Sequence, residues 1–551
     1  MKETNTDKRF FILLSLIFVL NLIQAYATPV SEDEAYYWVW SQHPAWGYFD
    51  HPPMVAWWNF IGNYIFNGTL GVRFFGILMN CAGLFFLWKT LLPKSDKQFW
   101  LFASLVLATL VFQIFGFISS PDSPLLFFSL LYLYAFKTFL ERNSVLNTIV
   151  FSLALAGLMY SKYQALLLIV FTIVPVLSVL IKNPKFYFSV LLSLVLYIPH
   201  FIWLFQHDFV PVHYHFIERS YDNSFEADRL IIYPLIYFVG MSPLLSYFSA
   251  KSLFSFKPKS HFERSLWWLA VLPGVFFFFS LFKESVQPQW LLISFLAMMM
   301  ICYIYYADKP DEWLLRLGFI SFGIIVLIRI GLMLPSVSPL YKNLNFAEEV
   351  GKRDIQPVVF EKYQEASLFL FYNRDKTAAV HRTLGNRDNQ YTLWDWEDKL
   401  YKKTVYYVSP WVSADDSFRS FKNRDYFIKE IADYNTFYKV KVQTAENIKT
   451  KTNETVNLKL EIFNGHAHSL QIGGQSDLRL NVNYYLDKQY NVVYASELAV
   501  EEFTLAPGEH KTLNVIFKNI EKTGDFKAAV GVYYSELGTT YVSGPIDLVS
   551  F

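Results

Sequence analysis

Long apolar runs dominate the first 335 residues of the chain, and short polar segments separate them. A membrane-spanning helix needs about 20 mostly apolar residues, and eleven of these runs come close to that length. The pattern therefore predicts an α-helical polytopic membrane protein with about 11 transmembrane helices. The predicted spans are 10–28, 70–92, 99–117, 122–140, 145–160, 163–181, 186–205, 230–250, 266–282, 288–306 and 313–335.

The pattern changes after Pro335, where charged residues return at ordinary density. Residues 340–440 alternate short β-like runs with helical ones, which is typical of a small α/β unit. Residues 441–551 show period-two alternation between regularly spaced turns, which indicates an antiparallel β-sandwich. We therefore predict a membrane domain at 1–339, followed by an α/β subdomain and a β-sandwich with these bounds.

Composition agrees with a membrane protein and excludes some classes. Hydrophobic residues make up 53% of the chain and charged residues only 17%, below the usual quarter of soluble domains. The net charge of +1 gives no support to nucleic-acid binding. Cys81 and Cys302 both lie inside apolar runs, so we interpret them as packing residues rather than as a disulfide or a metal site.

The distribution of Lys and Arg between the spans predicts the orientation. Cytoplasmic loops carry an excess of these residues, and here they collect on the side of the N-terminus. The N-terminus is therefore predicted to be cytoplasmic and the segment after Pro335 extracytoplasmic. The residues behind this prediction are Lys2, Lys8, Arg9, Lys94, Lys97, Arg142, Lys182, Lys185, Lys251, Lys257, Lys259, Arg264, Lys309 and Arg316.

The loops of the opposite face contain the candidate chemistry. The first is "SEDEAYYWVWSQHPAWGYFDHPP" at 31–53, and "SSPDSP", "SKYQ" and "KESVQPQ" follow later in the chain. Ionisable groups at or near membrane depth are costly and are functional candidates by default. On this face they are Asp33, Glu34, Asp50, His51, Asp122, Lys162, His207, Asp208, Lys283 and Glu284.

The acids have two interpretations each. Asp33 and Glu34 follow the first span, where a carboxylate could act as general base towards an attacking hydroxyl. The alternative is an interfacial helix with aromatic residues at headgroup level and solvated acids. Asp122 could belong to the same site or could merely cap the helix that follows it. We favour function for the first pair and leave both interpretations open for Asp122.

The cations of this face are candidates for binding an anion. Lys162 and Lys283 lie where the distribution of charge disfavours cations, although a snorkelling lysine is the commoner outcome at such a position. A lipid phosphate at the membrane surface is the obvious ligand, held by point charges and N–H donors. For His51 and Arg73, packing against the acids is the alternative to binding an anion.

Several motifs together resemble a known family. "DEAYYWVWSQHPAWGYFDHPPMVAWW" is followed by "GVRFFGILMNC", "SSPDSP", "SKYQA" and, in the tail, "NRDNQYTLW". The chain resembles the GT-C glycosyltransferases related to protein O-mannosyltransferases and to the lipid A aminoarabinose transferase. The resemblance covers most of residues 25–300 and is most specific in the first loop.

The resemblance implies a reaction and a location. Such enzymes transfer a sugar from a polyprenyl-phosphate donor, undecaprenyl phosphate in bacteria, to an acceptor outside the cytoplasm, usually with inversion. The acceptor would be lipid A, an envelope glycan or a protein, and the chain would lie in the bacterial inner membrane. No D-x-D triplet is present to hold a metal-bound diphosphate, so the donor phosphate would have to be bound without one. The sequence indicates no metal ligands and no cofactor beyond the donor itself, and it leaves the participation of a divalent metal open.

The resemblance also assigns residues. The Asp-Glu pair after the first span falls on Asp33, the expected base, and on Glu34, and the Pro-Asp motif gives Asp122 as a further catalytic candidate. The family's "F-E-K-P-P" segment appears here as "FDHPP", so Asp50 keeps the acid and His51 replaces a lysine. Residues expected to bind substrate are Asp50, His51, Arg73, Lys162, Lys283 and Glu284.

Two other classes of function compete with a transferase. A transporter or flippase would use intramembrane acids as a translocation path, but here the acids cluster in loops on one face. A non-catalytic envelope protein with a glycan-binding tail would suit the β-sandwich, but it leaves the acidic loop unexplained.

Overall fold

The structure is a computed structural model that forms two compact units, residues 1–343 and 344–551. We describe each unit by itself. The described residues are 5–142, 144–215, 227–282, 284–383, 386–419, 424–444, 449–450, 453–485, 492–519, 526–541 and 548–550.

The described part of the first unit consists of helices and their connections. The helices are α1 (Asn5–Ala27), α2 (Glu32–Ser41), α3 (Met54–Ile65), α4 (Gly68–Leu91), α5 (Asp96–Ala108), α6 (Leu110–Ile114), α7 (Asp122–Glu141), α8 (Val145–Ser161), α9 (Ala165–Ile173), α10 (Leu177–Leu180), α11 (Pro184–Gln206), α12 (Val210–His213), α13 (Arg229–Val239), α14 (Ser246–Ser255), α15 (His261–Ser280), α16 (Leu292–Tyr306) and α17 (Glu312–Met333). The boundary between the units falls within α18 (Leu340–Gly351).

Length and hydropathy allow fewer spans than the eleven that the sequence predicts. Within the described residues, seven helices are long and apolar enough to cross a membrane, and an eighth span results if the bent pair Arg229–Val239 and Pro243–Ser255 counts as one. The predicted spans at 145–160 and 163–181 correspond to shorter apolar helices. The helical membrane fold is confirmed, and the count of eleven is not.

Two interrupted helices meet at their breaks. The predicted span 99–117 is broken at Thr109, between α5 and α6, and the bent pair turns by 84° after α13. The backbone N–H of Leu110 donates to the carbonyl of Met241 at 2.9 Å, which joins the two breaks. Because lipid offers no hydrogen bonds, non-helical backbone at membrane depth must find such partners inside the protein.

Close helix packing surrounds these breaks. A large hydrophobic cluster joins residues from most of the helices. It includes Cys302 of α16, and Leu84 and Leu87 of α4, the helix that carries Cys81. A Cβ atom on Gly318 would collide with the Ser104 hydroxyl and lie 3.2 Å from its carbonyl oxygen, so the glycine favours the close approach of α17 to α5. Small residues at helix contacts have this role in membrane bundles.

The second unit begins with a mixed α/β layer. Its helices are the end of α18, then α19 (Tyr363–Tyr372) and α20 (Gln390–Leu393). Its five-stranded sheet has the order β2-β1-β3-β5-β4, in which β1 pairs in parallel with β2 and β3, and β5 pairs antiparallel with β3 and β4. The strands are β1 (Val358–Phe360), β2 (Ala378–Val380), β3 (Val405–Ser409), β4 (Asp416–Arg419) and β5 (Asp425–Ile431).

Two further sheets follow, one of eight strands and one of three. Burial along β8 alternates strictly over most of its length, as the sequence pattern predicts. Leu460 of β8 and Val530 of β14 belong to one hydrophobic cluster, so the sheets share a core. The strands are β6 (Val440–Thr444), β7 (Lys449–Thr450), β8 (Thr455–Asn464), β9 (Leu470–Ile472), β10 (Leu478–Tyr485), β11 (Val492–Glu497), β12 (Phe503–Leu505), β13 (His510–Lys518), β14 (Phe526–Tyr534), β15 (Thr539–Tyr541) and β16 (Leu548–Ser550).

The sheet-containing C-terminal region is thus confirmed. The same hydrophobic cluster includes Val359 of β1 and Val405 of β3, so the α/β layer contributes to it as well. The separate bounds 340–440 and 441–551 stay a prediction.

Candidate active site

A cavity of about 1110 Å³ lies within the first unit, and we call it the main cavity. Its apolar walls come from helices, and its polar walls come from the loops that the sequence singles out. The apolar lining includes Leu110, Val111, Ile114, Leu167, Leu235, Ile236, Val239, Phe276, Phe277 and Phe295. The polar lining includes Ser31, Asp33, Glu34, Tyr37, His51, Ser119, Ser120, Asp122, Lys162, Tyr163, Gln164, His215, Glu284, Gln287 and Gln289.

The acidic loop folds into α2, whose first turn carries both acids. Ser31 caps the helix, since its hydroxyl accepts the N–H of Glu34 at 3.2 Å while Glu34 accepts the N–H of Ser31 at 3.0 Å. This reciprocal pair is a capping box, and it starts the helix at a fixed residue. Asp33 consequently lies in the first turn, exposed and lining the main cavity.

Glu34 forms a buried ion pair with Arg73 of α4. The Nε and Nη2 atoms of Arg73 each donate to one carboxylate oxygen at 2.7 Å. The remaining N–H groups of Arg73 donate to the carbonyl oxygens of Ala25, Thr28 and Pro29, at 2.7–3.1 Å. A guanidinium has five N–H donors, and all five are used here.

The Glu34 carboxylate likewise accepts several hydrogen bonds. Besides Arg73 and Ser31, its carboxylate accepts the N–H of Ser119 at 3.0 Å. Burial by itself would raise the pKa of Glu34, but the Arg73 charge and these donors bring that pKa below its ordinary value. A carboxylate held this way is a poor proton acceptor. We therefore reassign Glu34 from catalysis to structure. Arg73 has no N–H left for a phosphate and does not line the main cavity, so we also reassign it, from substrate binding to structure.

Asp122 and Lys162 form a second buried ion pair, and both line the main cavity. Asp122 begins α7 and Lys162 follows the last residue of α8. The Lys162 ammonium donates to both carboxylate oxygens, at 2.8 and 3.0 Å. An ammonium has three N–H donors, so one stays available to an anion in the cavity. Pro121 occupies the N-cap position of α7, and Asp122 is the first residue of the helix.

Two histidines share the polar end of the main cavity. The ring centroids of His51 and His215 are 5.9 Å apart, and the Tyr163 ring lies 6.1 Å from that of His215. A ring nitrogen of His215 lies 2.9 Å from the carbonyl oxygen of Asp50. The residue that replaces the family's lysine thus does line the cavity.

The other predicted substrate-binding residues differ in position. Glu284 lines the main cavity. Asp50 is buried, accepts the Tyr36 hydroxyl at 3.1 Å and is not among the lining residues. Lys283 lies outside the described residues.

The aromatic residues of the first loop are mostly buried in the protein. Trp40 is 0% exposed and stacks on Tyr48 with ring centroids 4.5 Å apart, and Tyr36 is 2% exposed. The interfacial interpretation of these rings is therefore wrong for both residues. Tyr37 is the member of this group that lines the main cavity.

Tyr163, His215 and Trp290 also line the main cavity, although the sequence did not single them out as candidate site residues. Tyr163 directly follows Lys162 in the "SKYQ" motif, so the charged neighbour already indicated that this segment could belong to the site. His215 lies in a long loop and Trp290 at the start of a predicted span, and no local pattern distinguishes them from packing residues.

A cluster in the second unit has the composition of a metal site. Among the described residues, the nitrogen and oxygen atoms of Asp398, His466 and His468 lie within 4.8 Å of one another. However, His466 accepts the backbone N–H of Lys439 on Nε2, at 3.0 Å, which leaves the proton on Nδ1, facing Asp398 at 2.7 Å. The Lys439 ammonium pairs with the same carboxylate at 3.1 Å. These contacts fit a hydrogen-bonded structural network better than a set of metal ligands.

The charge state of this network follows from its contacts. Burial would raise the pKa of Asp398, but the hydrogen bonds from His466 and Lys439, together with the charge of Lys439, hold that pKa well below its ordinary value. Asp398 is therefore ionised at neutral pH and stabilises both partners.

Comparison with known proteins shows which families this chain resembles. The profile of the dolichyl-phosphate-mannose-protein mannosyltransferase family matches residues 50–203. The lipid A galacturonosyltransferase RgtD of Rhizobium johnstonii is 24% identical over 396 residues, which cover 67% of this chain and 80% of the relative.

Solved structures share the fold. The crystal structure of ArnT from Cupriavidus metallidurans in the apo state matches with a TM-score of 0.59 and 12% identity, covering 77% of this chain and 98% of ArnT. The structure of the same protein bound to undecaprenyl phosphate matches with a TM-score of 0.56 and 14% identity, covering 76% of this chain and 97% of ArnT. The chain is therefore a multi-pass membrane protein that shares the fold of ArnT and resembles the protein mannosyltransferases and RgtD, as a glycosyltransferase of the GT-C type would.

Proposed function

We propose that the protein transfers a sugar from an undecaprenyl-phosphate donor to lipid A on the extracytoplasmic side of the inner membrane, with inversion. The observation that carries this proposal is the main cavity, whose lining combines apolar helix residues with an exposed acid, a lysine and two histidines. A lipid phosphate likewise combines an apolar chain with a charged head. The names of two relatives supply the specific substrates, lipid A for RgtD and undecaprenyl phosphate for ArnT.

Asp33 is the base of the proposed reaction. The acceptor hydroxyl gives its proton to the Asp33 carboxylate as its oxygen forms a bond to the anomeric carbon. The bond between that carbon and the phosphate oxygen breaks, and undecaprenyl phosphate leaves with the electron pair. One displacement on the opposite face of the sugar inverts the anomeric centre.

The leaving phosphate needs positive charge, and Lys162 and His51 are proposed to supply it. Lys162 keeps one N–H for this anion, and its pairing with Asp122 fixes the ammonium at the cavity wall. His51 contributes when it is protonated, and His215 packs beside its ring. Donors placed before the reaction stabilise charge that develops in the transition state.

Transfer by purified protein tests the proposal. The full chain in detergent or nanodiscs would be given lipid A and undecaprenyl-phosphate sugars, beginning with galacturonate because of the RgtD relationship. Mass spectrometry of lipid A should show the mass of one added sugar, and NMR of the product should show an inverted anomeric centre. A protein that moves these donors across vesicles without altering lipid A would be a flippase instead.

Replacing Lys162 should weaken donor binding more than chemistry. The loss of a charge-assisted hydrogen bond of about 1.5–3 kcal/mol should raise the KM for donor roughly 10- to 100-fold in Lys162→Met. Asp122→Asn/Lys162→Met is the matched control, because it removes the buried carboxylate that the single change leaves unpaired. It should recover thermal stability but not donor KM. An unchanged donor KM in both variants would remove Lys162 from phosphate binding.

The orientation can be checked independently. The distribution of Lys and Arg between the apolar segments predicts that residues 344–551 lie outside the cytoplasm. Protease added to intact spheroplasts should therefore digest this unit, whereas inside-out vesicles should protect it. The opposite pattern would reverse the orientation and, with it, the side on which the proposed reaction occurs.

A further inference from the structure

Three cations are buried among the described residues of the first unit: Arg73, Lys162 and Arg329. The first two have carboxylate partners, Glu34 and Asp122. Arg329 lies in α17, is 4% exposed and has no carboxylate among its described contacts. An ionised residue inside a membrane span is costly and is a functional candidate by default.

Neutral amides hold Arg329 instead. Its Nε donates to Gln24 Oε1 at 3.2 Å, its Nη1 to Gln113 Oε1 at 3.3 Å, and its Nη2 to Asn21 Oδ1 at 2.8 Å. Its guanidinium carbon also lies 4.8 Å from the centroid of the Phe117 ring. Amide oxygens orient a guanidinium and satisfy its N–H groups, but they leave its charge unneutralised.

This charge lies directly behind a wall of the main cavity. Leu110, Val111 and Ile114 of α6 line the cavity, as does Ile118 just after it. Gln113, which contacts Arg329, belongs to the same segment but is not a lining residue. Phe117, whose ring lies 4.8 Å from the guanidinium carbon, is followed in the chain by the cavity-lining Ser119 and Asp122, and Asp122 pairs with Lys162. Since one helix separates the two, the guanidinium lies about 10 Å from this part of the cavity.

We propose that Arg329 supplies a fixed positive charge that stabilises the donor's phosphate in the main cavity. This proposal rests on the proposed function, and it adds a residue that acts through space without touching the substrate. Between a unit charge and an anion about 10 Å away, at the effective dielectric of a protein, the attraction corresponds to about a tenfold gain in affinity per phosphate charge. Arg329 is thus a positioning residue for charge and not a catalytic one.

Two changes at Asn21 separate charge from packing. Asn21→Asp keeps an oxygen acceptor for Arg329 but places a carboxylate against the guanidinium, so it should neutralise the charge. Asn21→Ala removes the hydrogen bond and leaves the charge. The proposal expects weaker donor binding in Asn21→Asp and near-normal binding in Asn21→Ala, whereas a purely structural Arg329 would give the reverse.

Binding of two lipids by the full-length protein in nanodiscs provides the measurement. Undecaprenyl phosphate should bind Asn21→Asp about tenfold more weakly than wild type, and undecaprenol, which has no charge, should bind both alike. Equal binding of the phosphate by both proteins would overturn the role of Arg329, as would an equal loss for undecaprenol. If wild type did not prefer the phosphate to undecaprenol, the proposed function would fail, and this proposal with it.

A second neutralising change guards against a folding defect in the first. Gln113→Glu places a carboxylate on the same guanidinium from a different helix and gives up only one long hydrogen bond, to the Val106 carbonyl at 3.4 Å. It should weaken binding of undecaprenyl phosphate to the same extent as Asn21→Asp. Wild-type binding of the phosphate by folded Gln113→Glu would contradict the proposal.

Discussion

Asp33→Asn should reduce sugar transfer by about 10²- to 10⁴-fold, the usual contribution of a general base. The amide occupies the same volume but cannot take the proton of the acceptor hydroxyl. Because Asp33 is exposed at the main cavity and is not the residue that anchors α2, the variant should fold normally and bind undecaprenyl phosphate as wild type does. The measurement is single-turnover transfer with saturating donor, together with donor affinity.

Glu32→Gln is the matched control for this variant. Glu32 lies in the same first turn of α2 and carries the same charge, but it is not among the residues that line the main cavity. Its replacement should leave transfer near the wild-type rate. Transfer by Asp33→Asn at more than about a tenth of the wild-type rate would remove Asp33 as the base, and Asp122 would then be the next acid to test.

Several residues that the sequence singles out lie together in the structure, because charged residues are rare beside apolar runs. A charged group beside an apolar run is conspicuous, and Asp33, Asp122, Lys162 and Glu284 all line one cavity. The membrane fold follows equally from apolar run length. Length does not reveal a break, however, and the bend after α13 depends on the contact between Met241 and Leu110, which are far apart in sequence.

The sequence does not show which residues far apart in the chain form pairs. Glu34 and Asp33 are adjacent carboxylates that both line the cavity, yet Glu34 is buried against Arg73, 39 residues away, whereas Asp33 is exposed. The helical periodicity of α2 separates them by about 100°, so only one can point each way. Deciding which one required the position of α4.

The aromatic rings of the first loop illustrate a related limit. An apolar ring beside a membrane is stable at the interface and equally stable inside the protein, so composition alone does not distinguish the two. Trp40 and Tyr48 are buried because α2 and the loop after it pack against each other.

Arg73→Met should destabilise the first unit strongly, since removing one partner of a buried ion pair costs about 3–5 kcal/mol. The change leaves the Glu34 carboxylate buried without its cation, and it also releases the carbonyl oxygens of Ala25, Thr28 and Pro29 at the end of α1. Arg73→Lys should recover only part of the loss, because an ammonium has three N–H donors where five are used. Thermal unfolding of the purified protein in detergent would measure both effects.

Glu34→Gln/Arg73→Met distinguishes this structural role from phosphate binding by Arg73. With the buried carboxylate neutralised, the double variant should be more stable than Arg73→Met alone. Recovery should be incomplete, because one amide oxygen replaces two carboxylate oxygens that accept the N–H groups of Ser31 and Ser119. In the fraction that folds, donor KM should stay within a few-fold of wild type, because no N–H of Arg73 faces the main cavity. A normal melting temperature combined with a large rise in donor KM in Arg73→Met would restore Arg73 to the phosphate site.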